Sequence, residues 1–476
     1  MSNNSSIDHA LQRCNRKPAY ATTEKPNTER AMNQTTWNPT TWEQFPAKQQ
    51  PQYSDPAAYH TVLQHLATLP PLVFPGEIDR LLVQLAQAGR GERFVLQGGD
   101  CAEQFSACRH ESIAGQLKIL LQVSLILTYG ARRPVVRLGR IAGQYAKPRS
   151  SDTEKIGDLT LPSYRGDIIN DPTPELLART PNPKRMLQAY YLAATTLNCA
   201  RGMISAGFAD LHNAAAWNLS EIENSSRWPE YRAILERLSD ALAFMGSCGV
   251  RSDTLGSVDF FTSHEGLLLG FESALTRKDP QSGLYYNMGA HMIWIGERTR
   301  QLDGAHVEYC RGIANPIGVK LGPKVDPQEV LELLAKLNPQ KVAGKVTLIT
   351  RMGRDQVEAA LPGMVNRVQC SGHPVVWSCD PMHGNTRVTA GSHKTRDFGD
   401  ILGELEACFR IHREAGSSLG GVHFEMTGDN VTECTGGAAQ VTDEDLGRNY
   451  LTACDPRLNA SQSLEMAFLL SQLLRD

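Results

Sequence analysis

The chain is notable first for what it does not carry. No apolar run approaches the roughly 20 residues that a membrane span needs, which argues against a transmembrane protein. Its eleven cysteines include no C-x-x-C pair. With no secretory signal pattern at the start, they read as free thiols of a reduced, cytoplasmic protein. A charge surplus is missing as well: 48 basic against 51 acidic residues leave a net charge of -3. That excludes the basic excess expected of a nucleic-acid binder. No G-x-G-x-x-G or Walker loop follows any strand pattern, so a nucleotide-binding fold has no support. An acid-poor transit peptide is also not what the start resembles, since Asp8, Glu24 and Glu29 interrupt it, and plastid targeting is therefore not expected.

What is present begins with a polar segment over residues 1–50, rich in Asn, Ser, Thr, Pro and Gln. It has few aliphatic residues with which to offset ordering entropy and reads as flexible. Residues 51–476 read as a single catalytic domain. A helical period runs from Ala57 to Gly91, with Leu81, Leu82, Leu85 and Ala86 as its apolar stripe. Strands follow at 94–96, 135–140, 258–263, 292–296, 317–321, 346–350, 374–378 and 420–424, mostly alternating with helical patterns. Asp326-Pro327-Gln328-Glu329 offers an N-cap acid, Pro at N1 and an acid at N3, and so starts one helix. Between the second and third strands, periods at 184–206 and 229–246 imply accessory helices over about 180–250, an insertion that would pack as a hairpin. A structural or oligomer contact is its default role and a regulatory pocket the sharper alternative. Eight strands in this rhythm favour a closed (β/α)8 TIM barrel with an N-terminal extension and an inserted helical pair.

The carboxyl ends of these strands carry Cys101, Arg140, His264, Glu297 with Arg298, Lys320, Arg351, His383 and Glu425. In a barrel such ends converge on one mouth, where chemistry is placed. Cys101, His383 and Glu425, joined by Asp455, offer a thiolate, an imidazole and two carboxylates, a donor set for a divalent transition metal. Mn, Fe, Co and Zn all fit; Mg and Ca seldom accept a thiol. Each residue alone also reads as a buried Cys, a core His or a capping acid. Arg140, Arg298, Lys320 and Arg351, with Lys147 and Arg149 nearby, form a second group that calls for a small polyanion, since guanidinium forks suit phosphate or carboxylate, and a phosphorylated one is expected. Separate surface ion pairs are the alternative.

Six longer motifs tie these positions together. They are Gln97-Gly98-Gly99-Asp100-Cys101-Ala102-Glu103, Arg140 to Ser150 (RIAGQYAKPRS), Ser163-Tyr164-Arg165-Gly166-Asp167, Trp294 to Arg300 (WIGERTR), Asp380 to Thr386 (DPMHGNT) and Thr432-Glu433-Cys434. From about residue 40 to the C-terminus the chain resembles the class II 3-deoxy-D-arabino-heptulosonate 7-phosphate (DAHP) synthases. The resemblance implies a metal-dependent condensation of phosphoenolpyruvate with erythrose 4-phosphate, which opens the shikimate pathway to aromatic amino acids. It implies Cys101, His383, Glu425 and Asp455 as ligands of a divalent metal, Mn2+ or Co2+ first, with Fe2+, Zn2+ or Cd2+ as alternatives. It places phosphoenolpyruvate on Arg140, Glu297, Arg298, Lys320 and Arg351, erythrose 4-phosphate on Arg149 and Ser150, and Lys147 between the two. The catalytic set is then Lys147, Cys101 and His383, with Lys147 a proton donor to the developing alkoxide.

Some relatives bind aromatic amino acids at their accessory helices or pair with a chorismate mutase, so such an effector, such a partner and a homo-oligomer (dimer or tetramer) are also implied. No membrane or nucleic-acid partner is expected. Asp380 falls to a supporting role and Cys379 to packing. Cys454, next to Asp455, would lie near Cys101, where metal loss could permit a disulfide; a small buried thiol is the alternative reading. A related condensation or aldol cleavage with another aldose phosphate, or an inactive regulatory paralogue, are the competing functions.

Overall fold

The computed structural model describes residues 37–206, 223, 227–248 and 259–475. The apolar runs become the eight parallel strands of one closed barrel: β1 (Phe94–Gly99), β2 (Val135–Arg140), β3 (Phe260–Glu265), β4 (Met292–Ile295), β5 (Ile317–Leu321), β6 (Val346–Thr350), β7 (Val376–Cys379) and β8 (Leu419–Glu425). Each strand pairs with its sequence neighbours and β1 closes on β8, with Gln97 beside His423 and Gly99 beside Glu425. The expected (β/α)8 barrel is therefore what forms. The third strand differs from expectation at its end, running two residues further to Glu265, and that shift matters for the site.

The single helical stretch expected from Ala57 to Gly91 is two helices, Pro56–Thr68 and Pro75–Gly89. Pro70, Pro71 and Pro75 interrupt the backbone ladder, and proline cannot continue a helix from within. The break lets the second helix turn under the barrel. Its Leu81, Leu85 and Ala88 pack with Val95, Val136, Leu138, Phe261, Met292 and Val376, closing the amino-terminal end of the barrel with side chains. Helix Pro327–Leu337 starts as its sequence implied, with the Asp326 side chain accepting from the Gln328 N–H at 2.8 Å.

Helix His110–Ala131 departs from the expectation that no segment could span a bilayer. By length and composition it is apolar enough to cross a membrane, but 67% of its most apolar window is buried inside the fold. It packs against the C-terminal helix Ala460–Leu473 and against β1 and β2. Its all-round hydrophobicity is that of a buried core helix.

The inserted helices are Lys184–Ser205 and Trp228–Ser247. Both dock on other elements of the fold. The first lies on Pro56–Thr68 and His110–Ala131, and the second stacks Tyr231 on Phe468 of the C-terminal helix at 4.5 Å between ring centroids. Residues 37–50, counted above with a flexible segment, pack on the barrel. Trp37 is buried and donates from Nε1 to the Glu308 carbonyl at 3.0 Å, and Gln50 donates to the Leu267 carbonyl at 2.7 Å. Residues 1–36 lie outside the described residues.

Candidate active site

Strand alternation decides which strand-end residue faces the barrel interior and which faces the surrounding helices. On β1 the inward set ends at Gly99, whose φ of +145° and close approach to the Arg140 carbonyl (2.6 Å from an added Cβ) exclude a side chain. The chain can then carry Asp100 and Cys101 over the mouth. Cys101 Sγ, a Glu425 oxygen and an Asp455 oxygen lie within 4.8 Å of one another, a group that could hold a metal ion. His383 sits one contact away, with Nε2 3.1 Å from Glu425 Oε1. Its Nδ1 faces Asp380 Oδ2 at 2.8 Å. That second contact directs the proton to Nδ1 and leaves the Nε2 lone pair for a ligand. Burial pushes the imidazole below its usual pKa against the pull of Asp380 and Glu425, favouring the neutral form that metals bind.

Lys147 lies at the centre of this group. Its ammonium is 2.7 Å from Cys101 Sγ, 2.7 Å from Asp455 Oδ2 and 3.5 Å from Glu425 Oε1. Burial works against its charge, yet Asp455, Cys101 and Glu425 outweigh it and hold the pKa well above the usual lysine value. The donor set concentrates negative charge and draws in a cation that reaches all three groups. A soft thiol, an imidazole and two carboxylates fit a divalent transition metal better than a hard cation.

The other cations surround that group. Arg140 is fully buried. It donates from Nε to the Asp100 carbonyl at 2.9 Å, from Nη2 to the Cys101 carbonyl and Glu425 Oε1 at 3.0 Å each, and meets His423 through Nη1. Four of its five N–H groups are thus engaged, and its guanidinium stands 5.1 Å from the Trp294 ring. Lys320 pairs with Asp380 at 2.7 Å and stands 5.7 Å from the same ring. Arg351 donates to the His383 carbonyl at 2.8 Å. Glu297 accepts from the Gly322 N–H at 2.8 Å and pairs with Arg300. Arg298 is exposed at the rim, and its guanidinium has no hydrogen bond or ion pair among the described residues. Arg149 is further out, paired with Glu154, and its backbone is held by Gln49 at both N–H and carbonyl. Ser150 beside it is exposed.

Two outcomes revise the sequence reading. His264 does not face the mouth: it points outward to Glu272, 2.8 Å from Nε2 to Oε1, in a buried network with Asn287 and Tyr309. Because β3 runs further than expected, the inward residue at its end is Glu265. The sequence reading also missed Arg396, fully buried, which donates from Nη1 to Glu425 Oε2 at 2.7 Å. Arg457 bridges Asp100 and Glu433 and so ties two of the motif loops together. Neither arginine lies at the end of a barrel strand or in a quoted motif; of their acidic partners, Asp100 and Glu433 sat in quoted motifs and Glu425 at a strand end. Cys101 and Cys454 are both free and share a small buried cluster with Tyr164, so the expected proximity of the two thiols is present.

Comparison with known proteins gives consistent results. A family model described as "Class-II DAHP synthetase family" matches residues 37–471. A Streptomyces coelicolor protein named phospho-2-dehydro-3-deoxyheptonate aldolase is 48% identical over 431 residues, covering 90% of this chain and 96% of its own. A Neurospora crassa protein of the same name is 48% identical over 448 residues, covering 90% and 93%. A solved phospho-2-dehydro-3-deoxyheptonate aldolase from Francisella tularensis SCHU S4 spans 89% of this chain and 99% of its own with a TM-score of 0.48 and 13% identity, too distant to inform the site.

Proposed function

The chain belongs to the class-II DAHP synthetase family and is a transferase of that kind, and on this premise we propose that its barrel mouth condenses phosphoenolpyruvate with erythrose 4-phosphate to give DAHP and phosphate. The observation that carries the reading is the juxtaposition of the Cys101–Glu425–Asp455 group, with His383 against it, and the cations Arg140, Lys147, Lys320 and Arg351. Cys101, His383, Glu425 and Asp455 would hold a divalent transition metal, which supplies Lewis acidity toward an aldehyde oxygen.

The chain's own groups supply the rest. Arg140, Lys320, Arg351 and Arg298 bind the carboxylate and phosphate of phosphoenolpyruvate. The remaining N–H of Arg140 and the unpaired fork of Arg298 are ready donors, and Lys320 and Arg351 exchange internal partners for the ligand. Glu297, held by Gly322 and Arg300, lines the same edge. Arg149 and Ser150 take the aldose phosphate. Holding two mutually repelling phosphorylated reactants side by side is a positioning effect worth several kcal/mol. Lys147, charged and buried between the two groups, gives a proton to the alkoxide that forms as the enol carbon attacks. The same reading carries a homo-oligomer and an aromatic effector at the accessory helices.

The test is phosphate release from phosphoenolpyruvate against a panel of aldose phosphates, before and after chelation and metal return. Erythrose 4-phosphate should be preferred and turnover should need the metal. Preference for another aldose phosphate would replace the substrate assignment, and chelator-resistant turnover would remove the metal.

A further inference from the structure

Resting on that reading, we infer that Glu404 is a positioning residue: through Asn385 it clamps the loop that carries Arg351 to the loop that carries His383, so that phosphoenolpyruvate and the metal bind cooperatively. Glu404 lies on helix Phe398–Glu414 and is fully buried. Its Oε1 accepts from the N–H of Met352, the residue after Arg351, at 2.8 Å. Its Oε2 accepts at 2.7 Å from Nδ2 of Asn385, in the turn that holds His383. Asn385 ties the loops in the other direction as well. Its Oδ1 accepts from the Arg354 N–H at 2.9 Å, while Nδ2 also donates to the Pro381 carbonyl at 2.8 Å. Between these bonds the two backbones touch. A Cβ on Gly353 would stand 2.9 Å from the Gly384 oxygen, and one on Gly384 would overlap the Gly353 nitrogen. Gly353 also has a φ of +84°, where a side chain is strained.

A residue needed only to pack the helix is ordinarily apolar, since a buried carboxylate costs free energy unless it is bonded. Glu404 makes no ion pair among the described residues, and its hydrogen bonds come from the two loops alone. Burial raises its pKa to about 7, against the N–H groups of Gly353 and Met352. The bonds that offset that cost are therefore the ones that join the Arg351 loop to the His383 loop.

Arg351 is also bonded directly to the His383 carbonyl, but that bond opens when Arg351 turns to phosphoenolpyruvate. The Glu404–Asn385 bond uses neither of those side chains and persists. Ordering one loop then orders the other, and the ligand that arrives second meets a loop whose freedom is already spent. Each ligand must raise the affinity of the other by the same factor. Asp380, between Lys320 and His383, is a second route between the two ligands, and the variants below leave it in place.

The experiment titrates phosphoenolpyruvate calorimetrically into the full-length protein, metal-free and Mn2+-loaded, and follows Mn2+ binding by the spin resonance of the free ion with and without phosphoenolpyruvate. Working at pH 8 keeps Glu404 ionised. In wild type, Mn2+ should tighten phosphoenolpyruvate binding about 10-fold or more, and the reverse factor should be equal. A wild type that fails to bind either ligand sinks the functional reading and this inference with it. One that binds both without coupling sinks the inference alone. In Glu404→Gln an amide N–H faces the Asn385 amide, and in Asn385→Asp two carboxylates face each other. Each should shrink the coupling factor about 5-fold or more. The double variant restores donor to acceptor in the reversed direction at the same net charge, and should recover most of the factor. The Pro381 bond is lost equally in Asn385→Asp and in the double variant, so it drops out of that comparison. A carboxylate that only anchors its helix predicts a lower Tm with the factor unchanged in both single variants, and that result overturns the inference. A double variant no better than the singles overturns it equally. Should Glu404→Gln not fold, Asn385→Ala decides the matter, because it opens the clamp while Glu404 keeps the Met352 N–H, and an unchanged factor there refutes the coupling.

Discussion

Arg396 gives the sharpest energetic test, because it meets Glu425 where neither has solvent to fall back on. Both side chains are fully buried, with Nη1 to Oε2 at 2.7 Å. Arg396 also donates to the Pro456 carbonyl and, from Nε, to Thr386 Oγ1 at 2.9 Å. Arg396→Met keeps most of the stem and removes the charge. Removing one partner of a buried pair costs about 3–5 kcal/mol. Here the lower end applies, since Glu425 keeps Arg140 at 3.0 Å and Lys147 at 3.5 Å. The two further bonds add about 1 kcal/mol each. Glu425→Gln made alone should cost a similar ~3 kcal/mol by leaving the arginine unpaired.

The double variant isolates the pair, because Arg396's bonds to Pro456 and Thr386 are lost equally with or without the Glu425 charge. Denaturant midpoints of chelator-treated protein, read with a common slope, give the four corners of the cycle. The double variant should be about 2 kcal/mol more stable than the sum of the singles implies. Additivity to within about 0.5 kcal/mol would show that Arg396 is structural filler and that Glu425 is held by Arg140 and Lys147 alone.

His383→Ala should abolish metal-dependent turnover; full activity of this variant in metal-buffered assays would remove His383 from the proposed ligand set. His412, buried on helix Phe398–Glu414 beside Trp377, has its pKa pushed down to about 4 by burial. A folded value below the unfolded 6.5 means that the unfolded chain binds more protons, so stability is complete above about pH 6.5 and drains as pH falls toward 4. Wild type should lose about 2 kcal/mol between pH 7 and pH 5 through this group. His412→Leu should lose that much less over the same interval, and an unchanged interval in denaturation at the two pH values would refute the assignment.

Much of the site was legible because a barrel converts sequence order into spatial convergence. Once the strands were placed, Cys101, Lys320, His383 and Glu425 had to open on one mouth. What the sequence could not give was the end of a strand to the residue. Side-chain direction has period two, so an error of one position exchanges the inward group for the outward one. That is how His264 took the place of Glu265. Arg396 and Arg457 were missed for a different reason: they approach from a hairpin and a loop whose paths depend on what they pack against. The long apolar helix His110–Ala131 likewise shows burial, not membrane insertion, only when its packing partner Ala460–Leu473 is in place.

By itself the sequence determined the alternation of strands and helices, the family, and the inventory of a thiol, an imidazole, carboxylates and cations, because periodicity and motif are local properties of the chain. Only the tertiary structure decided which of those groups touch. It set Lys147 among Cys101, Glu425 and Asp455, closed Arg396 on Glu425, and left a Glu265 oxygen without a hydrogen-bond partner among the described residues. Charges act over a few ångströms and their energies depend on burial, and both are fixed by packing between residues that lie far apart in the chain.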